Sequence, residues 1–228
     1  MASMGYRDTV FGHIFGITAL ILLLAWLLHF HGGIDLDSNE AAHMFNVHPF
    51  LMYFGFIFFA GEAMMAYKTV YTEWKVNKLA YISLHIIAIV LGIVGIYAAF
   101  KYHDKQRITN MYSLHSWLGI GTFCLYGLQW IIGFLTRTTY APWHISFSRV
   151  LLYMAICTAE SGLMQSSTLL GLKTGTELFL VNFTGLFILL FGIAVDFSIA
   201  SIPMVDLSIA SFFFFCRPTP NPLFGSAF

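Results

Sequence analysis

Apolar residues in this chain occur in long runs rather than alternating with polar ones. Six stretches, residues 10–30, 48–67, 79–100, 116–135, 145–164 and 179–200, are mostly apolar, and each reaches the roughly 20 residues that a helix needs to cross a bilayer. Backbone groups in lipid have no water to bond, so runs of this length predict helices that satisfy their own N–H and C=O groups. The polar connections are short, which predicts antiparallel neighbours in one bundle. The expectation is an all-α membrane protein with six transmembrane helices.

Composition agrees. Of 228 residues, 58% are hydrophobic and 10% charged, against about 25% charged in soluble domains. Eleven basic and eleven acidic side chains cancel, which removes the electrostatic basis for nucleic-acid binding. Three cysteines make no disulfide framework. Cys124 and Cys157 fall inside apolar runs and Cys216 in the tail, and all three are read as packing residues. The first run spans and no small-residue cleavage pattern follows it, so it is read as a helix rather than a leader. Residues 1–200 form one transmembrane domain, with residues 201–228 as a tail. Its FFFF run is too short to span.

Basic residues set the orientation. With six spans, Arg7, Lys68, Lys75, Lys78, Arg137 and Arg217 share one side, while Lys101, Lys105, Arg107 and Lys173 share the other. The first loop, residues 31–47, has no Lys or Arg and carries Asp35, Asp37 and Glu40. Both termini are therefore expected in the cytosol.

That topology sorts the histidines. His48 and His115 open the second and fourth spans on the non-cytosolic side, whereas His85 and His144 lie toward the cytosolic side. An imidazole within a membrane is costly unless its lone pair is used, and two facing imidazoles make good axial ligands for haem iron. Two pairs at two depths predict two haems stacked across the bilayer. His13, His29, His31 and His43 read instead as interfacial rings that snorkel to water.

The motifs FNVHP and GEAMMAYK, the run NMYSLHSWLGIG followed by QW and GF, PWH at residues 142–144, and Val181-Asn182 resemble the cytochrome b-561 family, in particular its plant transmembrane ascorbate ferrireductases. The resemblance runs to about Ala200. It implies a central four-helix bundle holding two b-type haems, with electrons passing from cytosolic ascorbate to monodehydroascorbate or ferric chelates on the far side. It also implies a vacuolar, other endomembrane or plasma-membrane location, and a homodimer.

Carried over by position, His48 and His115 match the ligands of the non-cytosolic haem, and His144 matches one cytosolic ligand. The fourth ligand position falls on Tyr81, with His85 one turn further along the same face, about 6 Å away. Three readings stay open: His85 ligates a shifted haem, Tyr81 ligates through its phenolate, or the cytosolic haem is lost. The first is favoured. Arg149 and Glu160 stand where relatives are apolar. They are about 16 Å apart along the helix, too far to pair, so each needs another partner. Arg149 is placed near a cytosolic haem propionate, or snorkels, and Asp196 reads as interfacial.

For anionic ascorbate the resemblance points to Lys68, Lys75 and Lys78 on the cytosolic side and to His103, Tyr112 and Asn182 on the other. Lys105 and Arg107 would attract anionic acceptors. Glu62 is read as structural, and the span glycines as points of close helix approach. Two other functions compete with electron transfer. One is a degenerate accessory membrane protein with one haem or none. The other is a small-molecule transporter, which the lack of helices broken at midspan disfavours.

Overall fold

The computed structural model describes residues 2–69, 74–136 and 142–200. The tail beyond residue 200, with Cys216 and Arg217, and the connection holding Arg137 lie outside the described residues. Among those described, all regular structure is helical, in six long rods joined by short connections. The first is α1 (Ala2–Ala25), which continues as π-helical turns over Trp26–Phe30. It stops at His31, and Gly32 and Gly33 follow with φ of 77° and 145°, a backbone conformation that side chains resist.

The second rod is composite: α2 (Ala41–Phe50), a π-helical stretch Leu51–Phe58, and α3 (Phe59–Thr69). Pro49 lies inside it. Proline lacks an N–H and crowds the carbonyl four residues back, and the wider π turns that follow absorb that break. The remaining rods are α4 (Trp74–Gln106), α5 (Leu114–Thr136), α6 (Pro142–Leu169) and α7 (Thr176–Ala200). α4 ends where Arg107 turns to φ 56°. Five rods are long and apolar enough to cross a membrane. α6 has the length, at 28 residues, but Arg149, Glu160, Gln165 and a run of hydroxyl residues dilute its apolar character.

Side-chain meetings fix the directions. α1 packs along α7, with Gly16 against Phe191 and Trp26 bonded to Glu177, so the two run antiparallel. The second rod packs on α4, Gly55 against Leu91 and Tyr67 against Tyr81. α5 packs on α6. Direct contact between α4 and α5, though they are consecutive, is sparse. The interior is thus two tight antiparallel pairs facing each other across a gap, with α1 and α7 packed outside.

The lipid face is apolar. Leu114, Trp117, Leu128, Phe134 and Leu135 of α5 are all exposed. Cys124 and Cys157, expected in packing positions, are exposed as well, because lipid is as apolar as a protein core and a thiol loses nothing by facing it. Two histidines expected to snorkel are tied down instead. His13 bonds Glu62 of α3 at 2.9 Å, and His31 bonds Glu177 of α7 at 2.9 Å. In apolar surroundings a carboxylate partner satisfies an imidazole better than a long reach to water.

Candidate functional site

The gap between the helix pairs holds a cavity of about 300 Å³, walled by His48 and His115 with Met52, Tyr112, Gly119 and Gly162 among others. The two imidazoles face each other with ring centres 6.0 Å apart and planes at 85°. His48 Nδ1 lies 2.9 Å from the Gly95 carbonyl oxygen of α4, and His115 Nδ1 lies 2.9 Å from the Thr158 carbonyl oxygen of α6. A carbonyl only accepts, so each Nδ1 carries its proton and donates. Each Nε2 is left as a lone pair, the state a metal-binding histidine needs. Two imidazoles binding one metal ion from opposite sides at about 2 Å each hold their ring centres on the order of 6 Å apart, which matches the geometry found.

Room behind the His115 and His144 rings comes from glycine. A Cβ on Gly162 would sit 2.7 Å from His115 Cε1, and one on Gly133 2.6 Å from His144 Cε1. Each glycine lies on the helix that neighbours the histidine it clears, so α5 and α6 make space for one another's ring.

The second pair lies deeper. His85 and His144 are 5% and 4% exposed and line a smaller cavity of about 30 Å³ with Tyr81, Tyr126, Gln129 and Ser148. His85 Nδ1 is engaged by the Tyr126 hydroxyl, while His85 Nε2 and His144 Nδ1 are buried without a hydrogen-bond partner. A buried imidazole nitrogen left without a partner is costly unless a ligand uses it. Tyr81 lies edge-on to His85, ring centres 4.4 Å apart. Gln129 donates to the His144 carbonyl oxygen at 2.9 Å and to the Ser148 hydroxyl, which steadies the start of α6.

A family model described as eukaryotic cytochrome b561 matches residues 47–170, a span that opens one residue before His48 and encloses both histidine pairs. The chain belongs to the cytochrome b561 family. Its similarity to curated relatives is long as well as close. It is 46% identical over 203 residues to the probable ascorbate-specific transmembrane electron transporter 1 of Oryza sativa subsp. japonica, covering 82% of this chain and 86% of that one. Against the ascorbate-specific transmembrane electron transporter 2 of Zea mays the figures are 45% over 210 residues, 84% and 89%. Against the transmembrane ascorbate ferrireductase 1 of Arabidopsis thaliana they are 39% over 198 residues, 81% and 83%. Membership makes this a multi-pass, b-type haem protein.

The other positions singled out in the sequence of this cytochrome b561 divide. His103 and Tyr112 line the mouth of the larger cavity; His103 Nδ1 is 3.0 Å from Asn110 Oδ1, and the Tyr112 hydroxyl accepts from Gln165 Nε2 at 3.1 Å. Asn182 is exposed on α7 and is not part of that wall. Lys75 and Lys78 are exposed where α4 begins, and Lys68 is half-buried where α3 ends. Arg149 pairs with Asp196 of α7 through both carboxylate oxygens, whereas the buried Oε1 of Glu160 has no partner among the described residues.

Lys101 and Lys105 hold down the first loop. Lys101 Nζ donates to Asp37 Oδ1 at 2.6 Å and to the Leu36 carbonyl at 3.0 Å; Lys105 Nζ donates to the carbonyls of Ser38 and Asn39, both at 2.9 Å.

Sequence reasoning missed Thr158, Gly133, Gly162 and Tyr126. A carbonyl or a missing Cβ on a neighbouring helix leaves no mark in a linear pattern. Tyr126 did leave one: with Gln129 it puts two polar side chains three residues apart on a single helix face.

Proposed function

We propose that this cytochrome b561 carries electrons across the membrane from cytosolic ascorbate, through two b haems, to monodehydroascorbate or ferric chelates on the other side. The observation that carries the reading is the facing of His48 and His115 with both Nδ1 protons committed to carbonyls. Relatives named for ascorbate-specific electron transport and ascorbate ferrireduction support the donor. Haem supplies the one-electron chemistry, and the protein supplies ligands, orientation and a dry surround.

His48 and His115 are assigned the non-cytosolic haem, His85 and His144 the cytosolic one. His85 is preferred to Tyr81 as ligand because its Nε2 is buried and unclaimed while Tyr126 occupies its other nitrogen. Lys68, Lys75 and Lys78 draw the ascorbate anion to the cytosolic face. His103 and Tyr112, with Asn182 nearby in the family pattern, handle the outer substrate, where an imidazole takes or gives the proton that accompanies an electron. Both termini face the cytosol, in a vacuolar, other endomembrane or plasma membrane, and two copies associate.

One observation favours a second reading, an accessory protein with a single haem: the cavity at His85 is about 30 Å³ against about 300 Å³ at His48. Haem content separates the two. A pyridine haemochrome assay on detergent-purified protein is expected to find two haems per chain, and ascorbate outside proteoliposomes is expected to reduce ferric citrate trapped within. One haem per chain with no transmembrane reduction would remove the proposal.

A further inference from the structure

We propose that His31, backed by Glu177, is the proton donor to monodehydroascorbate at the outer mouth of the larger cavity. This rests on the function proposed above and deepens it, by adding a residue that separates an acceptor which needs a proton from one which does not. Among the described residues outside the two facing pairs, His31 is the one histidine that both lines the larger cavity and bonds a carboxylate. His103 lines the same cavity, but its partner is the neutral amide of Asn110. His13 has a carboxylate in Glu62 and no place on the cavity wall.

The end of the first rod and the start of α7 build this dyad. Glu177 stands in the first turn of α7, and its Oε1 meets Trp26 Nε1 at 3.0 Å and His31 Nε2 at 2.9 Å. An indole N–H only donates, and a carboxylate oxygen accepts from both rings. Nε2 therefore carries the proton of the neutral imidazole, and Nδ1 is its lone pair. Among the described residues Nδ1 has no hydrogen-bond partner, which leaves it as the nitrogen free for a ligand.

The ring is held in place from several directions. Trp26 meets it edge-on, centres 5.1 Å apart at 85°. Asn46 Nδ2 donates to the His31 carbonyl oxygen at 3.3 Å and to the Gly33 carbonyl oxygen at 2.7 Å, which pins the backbone on both sides of the turn. The His31 side chain is 16% exposed, enough for water to reach it.

A carboxylate behind an imidazole fixes its tautomer and stabilises the cation formed when the far nitrogen takes a proton. An amide such as that of Asn110 fixes the tautomer but brings no charge. The monodehydroascorbate radical anion needs one electron and one proton to become the ascorbate monoanion. The electron comes by the transmembrane transfer proposed above, and the proton comes from Nδ1–H of cationic His31. One N–H bond breaks and one O–H bond forms on the substrate, leaving His31 neutral with Nε2–H still on Glu177, and water at the mouth returns the proton. Ferric citrate takes its electron with no such transfer, so the dyad contributes nothing to that acceptor.

The test uses the full-length chain in liposomes loaded with ascorbate, as wild type, His31→Gln and Glu177→Gln. A glutamine at 31 still offers Glu177 an N–H, and a glutamine at 177 still accepts from both rings, so each variant keeps the contact between the first rod and α7. Rates per haem are read with monodehydroascorbate, generated by ascorbate oxidase, or with ferric citrate outside. The ratio of the first rate to the second is expected to fall at least about tenfold in His31→Gln, the low side of what a general acid contributes, and several-fold in Glu177→Gln. An unchanged ratio would overturn the proposal, whether both rates hold or both fall together, since His31 would then act only by packing. Wild-type protein that reduces neither acceptor would instead overturn the function on which the proposal stands.

Discussion

His115 is held from two sides, and both supports come from α6. The Thr158 carbonyl takes its Nδ1 proton at 2.9 Å, with Ser161 Oγ at 3.3 Å, and Gly162 leaves the space its ring fills. A methyl group at 162 would meet the ring at 2.7 Å. The ring or the helix must then move, at the roughly 1–3 kcal/mol typical of overpacking. Gly162→Ala is therefore expected to lower haem per chain at the His48–His115 site while leaving the helical circular dichroism intact; full haem content in that variant would contradict this support. Asp37 offers a second check at the same scale. Its hydrogen bond from Lys101, and then the charge of that ammonium, hold its carboxyl below the ordinary range. A depressed carboxylate stabilises above its unfolded value, about 3.9, and the contribution disappears as pH falls through the lower folded value. Hydrogen exchange of loop amides 33–40 is expected to lose protection in that acid range. Asp37→Asn should remove the pH dependence; a variant that keeps it would show that another group is responsible.

At the scale of the element, α6 departs furthest from an apolar rod and depends most on its neighbours. Arg149 and Asp196 join α6 to α7 with two hydrogen bonds, and their side chains are 39% and 14% exposed. The spacing of Arg149 and Glu160 along α6 ruled out a pair within the helix, but the partner on α7 became visible only once the helices were packed. An exposed pair contributes about 0–1 kcal/mol, and breaking a buried one costs about 3–5 kcal/mol. This half-buried pair belongs between them, so Asp196→Asn is expected to destabilise by about 1–2 kcal/mol. A double-mutant cycle with Arg149→Gln, read by thermal unfolding in detergent, checks it. Zero coupling would mean that lipid headgroups or water satisfy the guanidinium equally well.

Across the whole molecule, the sparse contact between α4 and α5 is the main feature. Two well-packed pairs enclose cavities walled by histidine, so a ligand that fills them is bound by the native state alone. Such a ligand stabilises by mass action, about 2.7 kcal/mol at a hundredfold excess over its dissociation constant. Protein prepared under haem depletion is expected to unfold at a lower temperature and to recover on adding haemin, and His115→Ala is expected to recover less. Equal unfolding temperatures with and without haem would place the stability of the bundle elsewhere.

The run lengths determined the helix count, since a bilayer tolerates only closed backbone hydrogen bonding over such distances. Position along the six runs gave the expected pairing of His48 with His115 and of His85 with His144, and the loop cations gave an expected orientation. Composition alone excluded a soluble domain. Tertiary structure decided what a linear pattern does not encode: that His13 and His31 meet Glu62 and Glu177, that Lys105 is held by the first loop, that Asn182 faces outward, and that glycines on one helix clear space for rings on the next. Each of these depends on the rotation of one helix about its axis relative to another. Apolar runs surrounded by lipid leave that rotation unspecified, because every face of such a helix is compatible with lipid and only contact with a partner selects one.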